Sequence, residues 1–219
     1  MKVLPIKSQE AEPWLLYKHY AKRMPIIKYA FGLYENNLLV GVVTFGPTPT
    51  PAVQTYMLGD GWADKILELN RLCIESKNKN AASYLVSQSL KMLPKPMAIV
   101  SYADGGQGHV GYIYQATNFI YTGAVTAHDA EYIVNGKKTH ARSITSQGIT
   151  NPKEWAKENN IEIVKPKPKH RYVYFCGNKK QKSEMMSLLT YPIVQEYPKG
   201  ESKRYDAGGV VPTQDLLFA

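Results

Sequence analysis

Cysteine is scarce: Cys73 and Cys176 are the only two in 219 residues. Both lie in apolar, strand-like runs, which reads as two buried thiols rather than a disulfide or a metal site. No Cys-x-x-Cys or His-x-x-x-His spacing occurs, which argues against a structural zinc site. No apolar run approaches the roughly 18 residues of a membrane span, so neither a transmembrane helix nor a membrane partner is expected. The opening MKVLPIKSQEAEPW turns polar after Ile6 and has no apolar core of the signal-peptide kind. No internal repeat is visible. The chain is long enough for one good core and tight for two full domains.

What the chain has in excess is positive charge and tyrosine. Lysine and arginine number 27 against 18 acidic residues, a net charge of +9, and there are 16 tyrosines. A positive field favours polyanions such as nucleic acid or phosphorylated cofactors. Tyrosine can stack on bases or bond phosphates, and it is equally a good strand residue.

The pattern along the chain is mixed. Short strands are expected over 3–6, 27–34 and 37–45, with Asn36-Asn37 as a tight turn between the last two. A helix over 10–23 precedes them and stops before Pro25. The GPTPTP stretch, 46–51, reads as a rigid loop. A strand over 66–74 leads to a helix over 79–93, where Ala82, Leu85, Val86, Leu90 and Leu93 recur at helical spacing. A buried strand over 97–102, a short helix over 110–116 and a strand over 119–126 follow. This order implies a mixed α/β sheet with helices on both faces. Beyond 126 the chain turns to strands. Asn135-Gly136 marks a hairpin between 132–134 and 138–143, Asn151-Pro152 opens a short helix, and 171–175 is a strand. The expected organisation is a core over 1–126, a β-rich extension of the same domain over 127–195, and a tail over 196–219.

The most unusual stretch is SYADGGQGHVGYIYQATNF, Ser101 to Phe119. A buried strand ends in Asp104, glycines turn the backbone, and a helix brings Tyr114 back toward the same end, where α/β sheets bind ligands. Asp104 could orient or deprotonate an amine and Tyr114 could protonate a leaving group. Equally, Asp104 could cap the next turn and Tyr114 pack in the core. His19-Tyr20 closes the first helix, an acid/base candidate or a plain helix-end histidine. Arg71 lies inside an apolar strand and needs a partner there: Glu68, Glu75 or a phosphate. The helix opening at Asn80, with Ser83 in its first turn, could cradle a phosphate or simply be capped. Two basic runs, Lys165 to Arg171 and Lys179 to Lys182, interleave with Tyr172, Tyr174 and Phe175. The first run (Lys167, Lys169, Arg171) and the hairpin residues Lys138, His140 and Arg142 suit phosphate contacts or a solvated face.

Four segments together resemble the Mom family: HYAKRMP (His19 to Pro25), ELNRLCIE (Glu68 to Glu75), AASYLVSQSL (Ala81 to Leu90) and the ADG-to-YQA block. These are phage proteins that convert adenine in DNA to an N6-carbamoylmethyl form and so shield phage DNA from restriction. The resemblance implies a GNAT-like mixed sheet flanked by helices and places the chain in the cytoplasm of a bacterial host. It also implies His19, Tyr20, Asp104 and Tyr114 as catalytic residues, and Arg71, Asn80 and Ser83 as cofactor-binding residues. Acetyl-CoA and iron are the implied cofactors and double-stranded DNA the implied partner. The glycine-rich pyrophosphate loop of ordinary GNAT enzymes is missing, since Glu75 to Ala82 contains no glycine. That leaves room for another donor, such as an aminoacyl-tRNA, with RNA as a donor carrier. Two other functions fit the same residues: an acetyl-CoA-dependent N-acetyltransferase acting on a small amine or protein, and a non-enzymatic nucleic-acid-binding protein.

Overall fold

A computed structural model of the chain describes residues 1–126 and 130–200. Residues 127–129, where the extension was expected to begin, lie outside the described residues, as does the tail beyond 200.

Seven strands form one sheet in the order β1-β2-β3-β4-β5-β10-β6. They are β1 (Lys2–Pro5), β2 (Tyr29–Glu35), β3 (Leu38–Gly46), β4 (Ile66–Ile74), β5 (Met97–Asp104), β6 (Ile120–Val125) and β10 (Lys169–Cys176). All neighbours pair antiparallel except β4 and β5. Asn36 and Asn37 both take positive φ, as the tight β2–β3 turn demands.

Helices cover both faces, as the alternation of side chains requires. Helix α3 (Ala81–Met92) buries Leu85, Val86 and Leu90 against Leu33, Val43, Leu67 and Leu69. Helix α1 (Ser8–Pro13) buries Ala11 on the other face, joined by Trp14, Leu15, Val42 and Cys73. On that same face α2 (Pro51–Leu58) and α7 (Lys179–Leu188) pack Met57 and Met185 on Ile66, Val100 and Val173. Cys73 and Cys176 are buried free thiols.

Several elements depart from the sequence reading. The first helix ends at Lys18, not Arg23. After Pro13 it widens into a π-helical turn, Trp14–Lys18, closed by the His19 amide on the Trp14 carbonyl, and His19 is already extended. The last residue of GPTPTP, Pro51, begins α2 at its first position, and a 3₁₀ turn, Asp60–Lys65, follows. The basic run 179–182 opens α7 through a reciprocal Asn178–Gln181 cap. β10, expected within the extension, is inserted between β5 and β6 of the main sheet.

The extension proper is a small lobe with its own packing. Strands β7 (Glu131–Val134), β8 (Lys137–His140) and β9 (Ile163–Val164) form a second sheet. Tyr132 and Ile144 pack with Ala156 beneath α5 (Ala141–Thr145) and α6 (Pro152–Glu158). Asn135 and Gly136 make the expected turn, but β8 stops at His140, whose Nδ1 accepts from the Arg142 amide and starts α5.

Between the 3₁₀ turn Gly105–Gln107 and α4 (Tyr112–Ala116), Gly111 holds φ at +85°. A Cβ there would lie 2.4 Å from the ring of fully buried Tyr172. Left-handed strain and overpacking therefore add up, and Gly111→Ala should cost about 2–4 kcal/mol. Calorimetry should show a melting temperature lower by roughly 5–15 °C. An unchanged melting temperature would contradict this packing.

No helix among the described residues is long and apolar enough to cross a membrane.

Candidate functional site

The site begins where two parallel strands part. β4 and β5 pair only from Ile66 to Glu68 against Ala98 to Val100. Beyond that β4 follows β3 to Ile74, while β5 follows β10 to Asp104. The Ser101 hydroxyl donates to the Leu69 carbonyl at 2.8 Å across the start of the gap.

A bulge then decides what faces the opening. Thr44 pairs with Arg71 and Phe45 with Leu69, so Asn70 is an extra residue in β4. Leu67, Leu69 and Leu72 stay on the α3 side; Glu68 shares the opposite side with Ile66 by alternation, and the shifted phase brings Arg71 to that side with Cys73. Without the extra residue Arg71 would point into the α3 core. Asn70 pins the distortion, taking a bond from the Thr44 hydroxyl at 2.6 Å and donating to the Ile26 carbonyl at 3.2 Å.

A cleft of about 1920 Å³ opens here and extends to the small lobe. His19, Tyr20, Arg71, Asp104 and Tyr114 all line it. They come from four separate segments, and ring and charge contacts connect His19, Tyr20, Arg71 and Asp104. His19 lies 4.4 Å from Tyr20 between ring centres, and Tyr20 meets His109 edge to face at 5.8 Å. His109 in turn feels the Asp104 carboxylate.

His19 and Tyr114 have defined chemical states. Burial, with Arg71 and His109 nearby, pushes His19 down to about 3, so the ring is neutral at physiological pH. Its Nδ1 accepts from the Ala21 amide at 3.1 Å, which leaves the proton on Nε2. His19 is therefore a hydrogen-bond donor here rather than an imidazolium acid. Asp104 Oδ1 accepts from the Gly106 amide at 2.8 Å, so the capping role is filled by one oxygen. Lys169 stands opposite Asp104 in the β5–β10 register. Tyr114 packs on Phe119 and Tyr172, and burial raises its phenol to about 12, against a Ser101 contact that lowers it. Its proton is held at neutral pH.

Glu68, read from sequence only as a partner for Arg71, is a site residue in its own right. Burial raises its carboxyl from 4.5 to about 7, against the lowering pull of Arg71, Lys169 and Arg142. A carboxyl that changes charge near neutrality at the split of two strands is equipped to accept a proton. The ELNRLCIE segment contained it, and alternation from Ile66 sets its face, but only the parting of β4 from β5 opens a cleft there. His109 was also missed, though it sits inside the GGQGHVGY block.

Arg71 finds neither expected acidic partner. Of the ion pairs among the described residues, one takes Glu75 to Lys18 at 2.5 Å and the other joins Lys138 to Glu131. Arg71 donates to the Asn70 carbonyl at 2.6 Å, and its Nε has no partner among the described residues. Such a donor suits an anionic ligand.

The remaining candidates divide. Asn80 and Ser83 line a separate cavity of about 330 Å³ behind α3, not the main cleft. The Ser83 hydroxyl is spent on the Asn80 carbonyl, and the Asn78, Asn80 and Ala81 amides are bonded within the loop. The loop therefore does not present a full backbone cradle for a diphosphate; Arg71, Lys77 and Lys79 supply the charge on the cleft side. His140, Arg142, Lys169 and Arg171 line the cleft, whereas Lys138 and Lys167 do not. Arg171 is committed to structure, stacked 3.4 Å over the Tyr191 ring and bonded to Thr122. For iron, no group of three or more His, Cys, Asp or Glu side chains converges among the described residues. His19 would also have to release the Ala21 amide to bind metal through Nδ1, or lose the Nε2 proton. The donor set does not fit iron.

Fold and site together define the class: a mixed α/β sheet flanked by helices, with a charged cleft where two parallel strands split. An N-acetyltransferase of Staphylococcus aureus Mu50 is similar over 80% of this chain and 98% of its own, with 15% identity and a TM-score of 0.47. Arabidopsis thaliana NAA60 in complex with acetyl-CoA is similar over 80% and 97%, with 11% identity and a TM-score of 0.45. The Mom protein family model matches residues 1–199, and the chain belongs to that family. The methylcarbamoylase mom of Escherichia phage Mu is 28% identical over 193 residues, 83% of this chain and 77% of that protein.

Proposed function

We propose that this protein is a phage-type DNA-modifying enzyme that converts the N6 amine of adenine to its carbamoylmethyl form and thereby protects DNA from restriction. The observation carrying this reading is that His19, Tyr20, Asp104 and Tyr114, the residues implied by family resemblance, line one cleft from three segments. The phage Mu relative's name, methylcarbamoylase, supports the transferred group.

N6 is paired inside a duplex, so the adenine must be extruded. The cleft volume exceeds the roughly 300–1,000 Å³ usual for one small ligand, leaving room for a base and a donor together. Arg142 on the small lobe and Lys169 at the start of β10 would hold the DNA backbone. Asp104, its second oxygen clear of the cap, would orient the amine, and Glu68 would accept its proton as the new C–N bond forms. Tyr114 would protonate the leaving group, and His19 would donate from Nε2. The donor's anionic part, a coenzyme A diphosphate or the phosphates of a charged tRNA, would lie against Arg71, Lys77 and Lys79. Acetyl-CoA alone cannot supply the product, because a carbamoylmethyl group is joined through a methylene and carries a nitrogen that acetyl lacks.

The test is digestion of DNA from expressing cells to nucleosides and mass spectrometry. A deoxyadenosine heavier by one carbamoylmethyl group is expected. Unmodified deoxyadenosine alone would overturn the reading.

A further inference from the structure

Ile26 stands on the rim of the cleft and is 75% exposed, the most exposed large hydrophobic side chain among the described residues. Exposed apolar residues are common singly, so exposure alone means little. Three features set this one apart.

First, the backbone beneath it is fixed. The Ile26 carbonyl accepts from Asn70 Nδ2, and the Lys28 amide donates to the Phe45 carbonyl at 2.7 Å. A Cβ at Gly46 would lie 1.9 Å from the Ile26 carbonyl oxygen, so this approach requires glycine there. Met24 and Ile27 on either side pack into the core under α1. The side chain is thus held out from a rigid base, not left on a loose loop. Second, its neighbours along the chain are cationic: Lys22, Arg23 and Lys28 are all exposed. Third, Asn70 links it to the site, bonding Ile26 with its side chain and Arg71 with its carbonyl. Tyr112 is the other exposed large apolar residue on the cleft lining, and its hydroxyl is tied to the Gly200 backbone.

We propose that Ile26 is a wedge that enters the DNA base stack and fills the gap left by the extruded adenine, with Lys22, Arg23 and Lys28 bonding the flanking phosphates. Rigid aliphatic side chains flanked by cations are suited to this, because insertion replaces the stacking that extrusion removes. The inference rests on the proposed action on duplex DNA. It adds the residue that makes a paired base available.

Extrusion leaves the opposite thymine unpaired and open to permanganate oxidation, which gives a readout independent of catalysis. The purified protein, with Ile26→Ala, Ile26→Asp and Ile26→Leu variants, is mixed with plasmid DNA at saturating concentration. Binding is measured in parallel by gel shift. The native protein and Ile26→Leu should produce hyper-reactive thymines. Ile26→Ala and Ile26→Asp should reduce them by roughly tenfold or more. Melting temperatures should not change, because the side chain is exposed. An Ile26→Ala footprint equal to the native one overturns the wedge. Duplex binding by the native protein with no reactive thymine overturns extrusion itself. No binding to duplex DNA at all overturns the proposed function.

Discussion

Replacing Glu68 by Gln should lower DNA modification by about 10²–10⁴-fold, the usual range for loss of a positioned proton acceptor. The native enzyme should also lose activity as the pH falls through about 7, where the buried carboxyl takes up its proton. In the variant that inflection should vanish. The sign of the stability change separates this from a folding defect. The folded value lies above the free value of 4.5, so ionised Glu68 is disfavoured by folding, and native stability falls as the pH rises from about 4.5 to 7. Glu68→Gln removes that penalty and should be at least as stable as the native protein above pH 7. Native-like activity with an unchanged pH profile would remove Glu68 from the chemistry.

Asp104 allows a cleaner separation of structure from chemistry, because it does a visible structural task. Its Oδ1 caps the turn at Gly106. Asparagine has an oxygen for the same bond and lacks the charge, so Asp104→Asn should keep the melting temperature and lose about 10²-fold or more in activity. Asp104→Ala should lose as much activity and, without the cap, about 1 kcal/mol of stability as well. Full activity in Asp104→Asn would reduce Asp104 to a capping residue.

Much of this was visible in the sequence, for local reasons. Asn36-Asn37 and Asn135-Gly136 announced their turns because few other residues take positive φ easily. The Leu85, Val86 and Leu90 stripe announced α3 by its period. Asp104 at the end of a buried strand followed by glycines pointed to the end of the sheet where the cleft opens. What stayed hidden depended on long-range structure. The residues of α7 between Lys179 and Glu184 are polar and only Met185 is buried, so no apolar period marks that helix. The wide turn after Pro13 ends the first helix early although Tyr20 to Arg23 show no breaker. The placement of Arg71 depends on one extra residue, Asn70, and the role of Glu68 on the parting of β4 from β5, two facts of register that alternation of residue types cannot reveal. Asn80 and Ser83, sensible phosphate ligands by position, line a cavity separate from the main cleft, which the period of α3 does not reveal.

The most direct test uses a duplex whose adenines are isotopically labelled at N6, incubated in extract with the native protein and, separately, with Asp104→Asn. Fragmentation of the product nucleoside by mass spectrometry then locates the new group. A carbamoylmethyl group bonded to the labelled nitrogen with the native protein, and its near absence with Asp104→Asn, is the expected result. An unmodified base, or an adduct on any other atom, would contradict it.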